Sequence, residues 1–526
     1  MLNTLMKPKT LQFILAFSVV VLTTGFLRLQ LISGLPNTDD GWYTFLCQRI
    51  WEGIFSGSEN RLLNGQLELY SFMTSWVFGL EVNQFILLRL IDGLVAITAS
   101  IVFFKVILKE SGSTLFTVIL ATVLFIVMND VEIVFYGYSN SIWAAYLPLF
   151  TALLVWQKSS KADTFSFYVI GALVSLGVLL REPFLPFFLL AGFAILIGYG
   201  WRALVKYLIG SAILGFSVLA VVLSLRGWDL SNLINKYFLA TIFYASFDQI
   251  SKINFNTFGL LAIKHNWIIL VTSSLSFIYL IKLYCANRKA INVSRFSFWL
   301  AVALLALLEP VLKLPYFYHF TNCLPGLAGL TAMGWKHLNI QESKKIKRSV
   351  LIIISLLGLT IILPTINKTI IKSSHIWSPS DAFNWAKAVN VFRKKGNIER
   401  SQYLIAARKI YELSREDSTL SVSGYMQALY PLTRLLPPSY ELGDIENLYV
   451  VLNKDEDKFI KIIKEQRPTI ILTTHLSAFY MTPGQKALPG IIEKTNLYNK
   501  VGNLPLNLDI NYGWKAGTIY RLKDFK

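Results

Sequence analysis

Long apolar runs recur along this chain and leave it few ways to fold. Eleven segments, at residues 11–32, 82–108, 115–128, 142–156, 165–180, 185–199, 207–225, 266–284, 296–312, 317–335 and 350–364, are apolar with few charged side chains. A helix that crosses the hydrocarbon core of a bilayer needs about 20 apolar residues. Several segments reach that length; the shorter ones, with Pro and Gly near their ends, read as half-buried or kinked helices. Composition agrees: 54% of the 526 residues are hydrophobic and 15% are charged, where soluble proteins carry about 25% charged residues. The pattern predicts a polytopic α-helical membrane protein with about eleven spans.

Charge sets the expected orientation. The net charge of +19 would suggest nucleic acid in a soluble protein, but here the basic residues sit in alternate connections. Lys105 and Lys109, Lys158 and Lys161, Arg202 and Lys206, Lys282 to Arg295, and Lys336 to Arg348 all fall on one side. Positive loops face the cytoplasm, so no nucleic-acid partner is expected. The N-terminus is then cytoplasmic, and an odd number of spans puts the C-terminal region outside. The first apolar run follows a short basic N-terminus, as in a signal peptide. It is long, lacks a small-residue cleavage site and carries Arg28 near its end, so it reads as a retained helix. Cys47, Cys285 and Cys323 and the five histidines are scattered, with no disulfide or zinc spacing.

The expected outer segments differ in kind from the basic ones. Residues 33–81 are polar and aromatic, 129–141 are short and acidic, and 226–265 are aromatic and amphipathic. The tail 367–526 is long enough for its own core. Helical spacing at 383–395, 425–434 and 455–466 alternates with β-branched runs at 419–423, 469–473 and 517–522. The reading is a membrane domain over 1–366, including loop 33–81, and an extracytoplasmic soluble α/β domain over 367–526.

Polar residues gather in the outer connections. Asp39 and Asp40 follow the first span; they suit a general base held over a bound substrate, or the N-cap of a helix over 41–52, and one residue can serve both. Glu68 lies in a partly apolar stretch, as an acceptor contact or an exposed interfacial carboxylate. Asp130 and Glu132, with Asn140 after them, sit at the mouth of the third span, where water is near. Arg181 lies in a very short turn beside Glu182; it can pair there or turn its planar fork to a phosphate. Lys313, Tyr316 and His319 stand at the boundary of the tenth span. Lysine snorkels readily, whereas an intramembrane histidine is a functional candidate by default. Acidic groups fill the first two outer connections and basic groups the later ones, as a base plus an anionic leaving group would require.

At these residues a family appears. The segment Asp39-Asp40-Gly41-Trp42-Tyr43 with Arg49, Glu52 and Gly53, the segment Leu88-Arg89-Leu90-Ile91-Asp92-Gly93, the turn Leu180-Arg181-Glu182-Pro183 and the stretch from Lys313 to Pro325 fall in order along the chain. Together with Tyr430-Pro431 and Pro437-Pro438 in the tail, they resemble the GT-C superfamily of membrane glycosyltransferases, in the branch of the protein O-mannosyltransferases and the bacterial aminoarabinose transferase. Asp40 stands where that family has Glu, and Asn140 where it often has an acid.

The resemblance implies an inverting transfer of a sugar from a polyprenyl-phosphate carrier of the undecaprenyl type to a lipid-linked or envelope glycan, lipid or protein acceptor. Asp39 would act as base, with Asp40 beside it. Arg181, Lys313, His319 and Tyr316 would meet the carrier phosphate, and Glu68, Asp130, Glu132 and Asn140 would support the acceptor. A phosphate leaving group needs charge stabilisation, so no metal cofactor is required; chelation by Asp39, Asp40 and Asp130 is the alternative. The resemblance also places the chain in a bacterial inner membrane. Two other classes compete: a lipid-linked glycan flippase, which would show repeated halves, and an O-antigen polymerase or ligase, which favours arginine-rich outer loops.

Overall fold

The computed structural model describes residues 8–32, 38–53, 69–80, 84–129, 140–159, 165–181, 184–225, 231, 251–287, 291–305, 317–341, 344–372, 398–423, 426–439, 441–476, 483–504 and 514–525. The chain is mostly helical. In order it forms α1 (Pro8–Ile32), α2 (Thr38–Trp51), α3 (Leu69–Thr74), α4 (Gln84–Ser111), α5 (Thr114–Met128), α6 (Asn140–Trp156), α7 (Ser166–Leu180), α8 (Leu185–Tyr199), α9 (Trp201–Leu225), α10 (Ser251–Ala286), α11 (Val293–Leu305), α12 (Leu324–Gln341) and α13 (Lys344–Lys372). Then come α14 (Ile398–Leu413), β1 (Leu420–Val422), α15 (Leu429–Thr433), α16 (Ile445–Val451), α17 (Glu456–Gln466), β2 (Ile470–Leu476), α18 (Pro483–Lys494), β3 (Tyr498–Leu504) and β4 (Trp514–Leu522).

Each of the eleven apolar segments falls on a helix over its described residues; 82–83 and 306–312 lie outside them. The tenth departs from the expected form: residues Phe317–Cys323 are a 3-10 helix, and the α-helix starts only at Leu324. Pro325 explains the change, because a proline in the first turn has no N–H to lose there and presets the helical φ. Residues 251–265, expected in an outer segment, are the opening turns of α10. Four described stretches are long and apolar enough to cross a membrane: Gln84–Ser111, Trp201–Val221, Asn266–Ala286 and Arg348–Asn367. Leu22, Phe216, Leu275 and Leu363 are exposed on these and neighbouring helices. Apolar exposure on that scale is foreign to a soluble monomer.

The fold divides into two compact units. One comprises residues 1–31, 90–221 and 247–371; the other comprises 32–89, 222–246 and 372–526. The first is a helical bundle. Phe103 packs on Phe150 with ring centroids 4.3 Å apart, and Phe116 stacks on Trp335 at 4.5 Å. Helices α7 and α9 approach so closely that a Cβ on Gly171 would overlap the carbonyl of Tyr207, and Ser211 Oγ donates to the Gly171 carbonyl at 2.9 Å. Small residues that let backbones touch are the usual glue of helices in lipid.

The second unit is built on a four-stranded sheet of order β1-β2-β4-β3. β1 runs parallel to β2, and the other pairings are antiparallel. Side chains alternate across a strand, and two cores result. Ile470, Leu472 and Ile519 face one layer with Ala406, Ile410, Leu429 and Tyr430; Ile471 and Tyr520 face another with Leu448, Phe459, Ile463, Leu488 and Ile491. The tail therefore has the α/β layering that the alternating pattern predicts, at β1, β2, β4, α15 and α17. The helix expected at 383–395 lies outside the described residues. Helices α14, α16 and α18 and strand β3 add to the expected set.

The first core also holds Phe45 and Phe85. Loop 33–81, which the sequence reading groups with the spans, thus contributes its helix α2 to the unit that contains the tail. The physical reason is burial: Phe45, Leu46 and Cys47 are fully buried, and the apolar face of α2 lies against α15.

Candidate active site

The paired aspartates sit on a helix. α2 begins at Thr38, so Asp39 and Asp40 are its second and third residues rather than the cap of a helix over 41–52. Their side chains lie outside the described set.

What holds α2 is well defined. Phe45 stacks on Tyr430 with ring centroids 4.2 Å apart and 25° between planes. The Tyr430 hydroxyl donates to the Gly443 carbonyl at 3.0 Å. Burial, and then the neighbouring Asp444 carboxylate, push that hydroxyl well above its ordinary pKa, so it stays a neutral donor. Arg49, one turn beyond Phe45, lies 5.7 Å from the Phe45 ring centroid. On another side, Cys47 Sγ meets Thr74 Oγ1 at 3.4 Å, which ties α2 to α3.

The helical bundle gathers a second group. Arg181 ends α7 in extended backbone and is buried. His319 is buried in the 3-10 helix. Tyr146 of α6 joins their two segments: its ring packs on Phe184 at 5.0 Å, and its hydroxyl donates to Asn322 Oδ1 at 3.1 Å. Phe184 lies three residues after Arg181, and Asn322 three residues after His319. In a 3-10 helix positions three apart eclipse, so His319 and Asn322 share a face. Arg181, His319, Asn322 and Tyr146 are thus all buried in this unit, at the end of α7, on the 3-10 helix and on α6.

The same unit buries an ion pair. Arg28 Nη1 donates to Asp92 Oδ2 at 2.6 Å, with both side chains almost wholly buried. The guanidinium carbon lies 5.3 Å from the Trp143 ring centroid. The pair joins α1 to α4, the helices on either side of loop 33–81 in the sequence.

Lys313, Tyr316, Glu68, Asp130 and Glu132 lie outside the described residues, and Asn140 is the first residue of α6 with its side chain outside them. Among the described residues no group of three or more His, Cys, Asp or Glu could hold a metal ion. Sequence reasoning missed Tyr146, Asn322 and Phe45, and took Tyr430 only as part of the tail motif. Tyr146 is hidden inside an apolar run, and the link from Asn322 to His319 follows only once 317–323 is read as 3-10 rather than α.

Together these elements follow the fold of a solved membrane-protein structure. The chain resembles the crystal structure of ArnT from Cupriavidus metallidurans bound to undecaprenyl phosphate, with a TM-score of 0.50 and 13% identity, over 97% of this chain and 98% of that one. No family model matches the sequence, and no curated protein matches it either. The fold and the apolar helices together mark the chain as a membrane protein.

Proposed function

We propose that the protein is an inverting glycosyltransferase that moves a sugar from a polyprenyl-phosphate carrier to an acceptor glycan, lipid or protein at the outer face of a bacterial inner membrane. One observation supports the reading: the likeness to an undecaprenyl-phosphate-bound ArnT covers nearly the whole chain, 97% of it.

Asp39, with Asp40 beside it, removes the proton from the acceptor hydroxyl, whose oxygen attacks the anomeric carbon. The carbon–oxygen bond to the carrier phosphate breaks, and the electron pair leaves with the phosphate. Arg181, Lys313, His319 and Tyr316 bind that phosphate and stabilise its growing charge. Glu68, Asp130, Glu132 and Asn140 contact or orient the acceptor. Charge stabilisation by side chains makes a metal unnecessary. The N-terminus is cytoplasmic, the membrane domain spans 1–366, and the soluble domain 367–526 faces outward. The basic alternate connections and the buried Arg181 and His319 support this arrangement.

The test is transfer by purified Asp39→Asn and Asp40→Asn variants with radiolabelled undecaprenyl-phosphate sugars. Asp39→Asn should lose transfer while still binding undecaprenyl phosphate. Transfer at the parent rate would remove Asp39 as the base.

A further inference from the structure

Gly41 follows the two aspartates directly and is buried against the tail. A Cβ built on it would overlap the Cβ of Ala428, and would stand 2.8 Å from the Ala428 Cα and 2.9 Å from its nitrogen. Real Cβ atoms do not sit that close to backbone. Ala428 is itself fully buried and opens helix α15 as its N-cap. Four residues along α2, Phe45 stacks on Tyr430 of the same short helix. Positions four apart on a helix share a face, so Gly41 and Phe45 form one docking stripe. The stripe leaves α2 little freedom to slide or rotate on α15, and the first turn with Asp39 and Asp40 is its end.

We propose that Gly41 and Ala428 are positioning residues: the close approach that only a glycine at 41 permits sets where the first turn of α2 stands, and through it the carboxylates that act in transfer. The inference rests on the reading of Asp39 as the base. It gives the tail a role in the chemistry as the seat of the helix that carries the base. A methyl group at Gly41 must lift the first turn off Ala428, which displaces the carboxylates without removing them. Misplacement of a catalytic group by about 1 Å costs on the order of a hundredfold in rate.

The experiment uses full-length protein in detergent with radiolabelled undecaprenyl-phosphate sugar. Gly41→Ala should lower kcat by about tenfold to a hundredfold, with the KM for the carrier-linked sugar within about twofold, because this displacement leaves the carrier phosphate's own contacts intact. Adding Ala428→Gly removes the nearest clash but leaves those to the residue 428 backbone, so it should recover part of the lost kcat. If Gly41→Ala does not yield folded protein, Ala428→Ser, one atom larger, probes the same contact and should show the same split. An unchanged kcat overturns the proposal, as does a loss shared with KM that Ala428→Gly does not relieve. Asp39→Asn, measured in parallel, separates the two ideas. Full activity in Asp39→Asn defeats the base assignment itself. An inactive Asp39→Asn beside a fully active Gly41→Ala defeats only the positioning role.

Discussion

Phe45, six residues after Asp39, lies face to face with Tyr430 across a 4.2 Å centroid separation. A residue of the first loop and one of the tail thus share a fully buried contact, although 385 positions separate them (430 minus 45). Truncating a buried aromatic costs about 3–5 kcal/mol. Tyr430→Ala should therefore unfold at a markedly lower temperature in detergent and lose hydrogen-exchange protection in α2 as well as α15. Tyr430→Phe keeps the stack and gives up the hydroxyl's bonds to the Gly443 and Leu442 carbonyls, at about 1 kcal/mol. Protection of α2 that survives Tyr430→Ala would contradict the shared core.

The Arg28–Asp92 pair should show the asymmetry of buried charges. Removing one partner leaves the other buried and poorly compensated, at about 3–5 kcal/mol. Replacing both with apolar groups of similar size removes the burial penalty as well. Arg28→Met and Asp92→Leu should each lower the unfolding temperature strongly, and the double variant should recover most of the loss. A double-mutant cycle on thermal unfolding checks this, and simple additivity would contradict a coupled pair.

Tyr146 tests the proposed carrier-phosphate site. Tyr146→Phe deletes the hydroxyl that donates to Asn322 and leaves the ring against Phe184. The loss of one such bond, about 1 kcal/mol, should raise the KM for the carrier-linked sugar about fivefold with kcat little changed. A kcat effect at constant KM would place Tyr146 in the chemical step instead.

Asp455 gives a pH dependence with a fixed sign. Its carboxylate accepts from the Lys458 amide at 3.1 Å and caps α17. That backbone bond, and then the Lys458 side chain, hold its pKa below the usual carboxylate value. A lowered carboxylate pKa contributes stability above the unfolded value and loses it as pH falls through the folded one. Protection of the first α17 amides, corrected for intrinsic exchange, should therefore fall in acid below the ordinary aspartate range. Asp455→Ala should show the reduced protection already at neutral pH. Equal protection in both proteins at pH 7 would contradict the cap.

The sequence showed the apolar helices plainly, because a 20-residue run without charge has few other uses. Strands β1, β2 and β4 were legible from β-branched runs. Strand β3 was not, since Tyr498–Leu504 alternates too weakly, with Asn499, Lys500 and Val501 exposed in succession. The candidate site was legible as residue types and not as neighbours. Arg181 and His319 stood out because charge is costly in an apolar span. Their bridge, Tyr146, did not, because a tyrosine in an apolar run looks like core. The docking of α2 was hidden for another reason: Phe45 and Tyr430 are far apart in sequence, and no local period reports a contact between separate segments.

The most direct measurement follows radiolabelled undecaprenyl-phosphate sugar through a reaction with purified full-length protein and candidate envelope acceptors. Acceptor-dependent conversion to undecaprenyl phosphate, with the sugar joined in inverted anomeric configuration and the conversion lost in Asp39→Asn, is the expected result. Carrier-linked sugar that stays intact with every acceptor, or that crosses the bilayer of a proteoliposome unchanged, would contradict a transferase and favour a transporter.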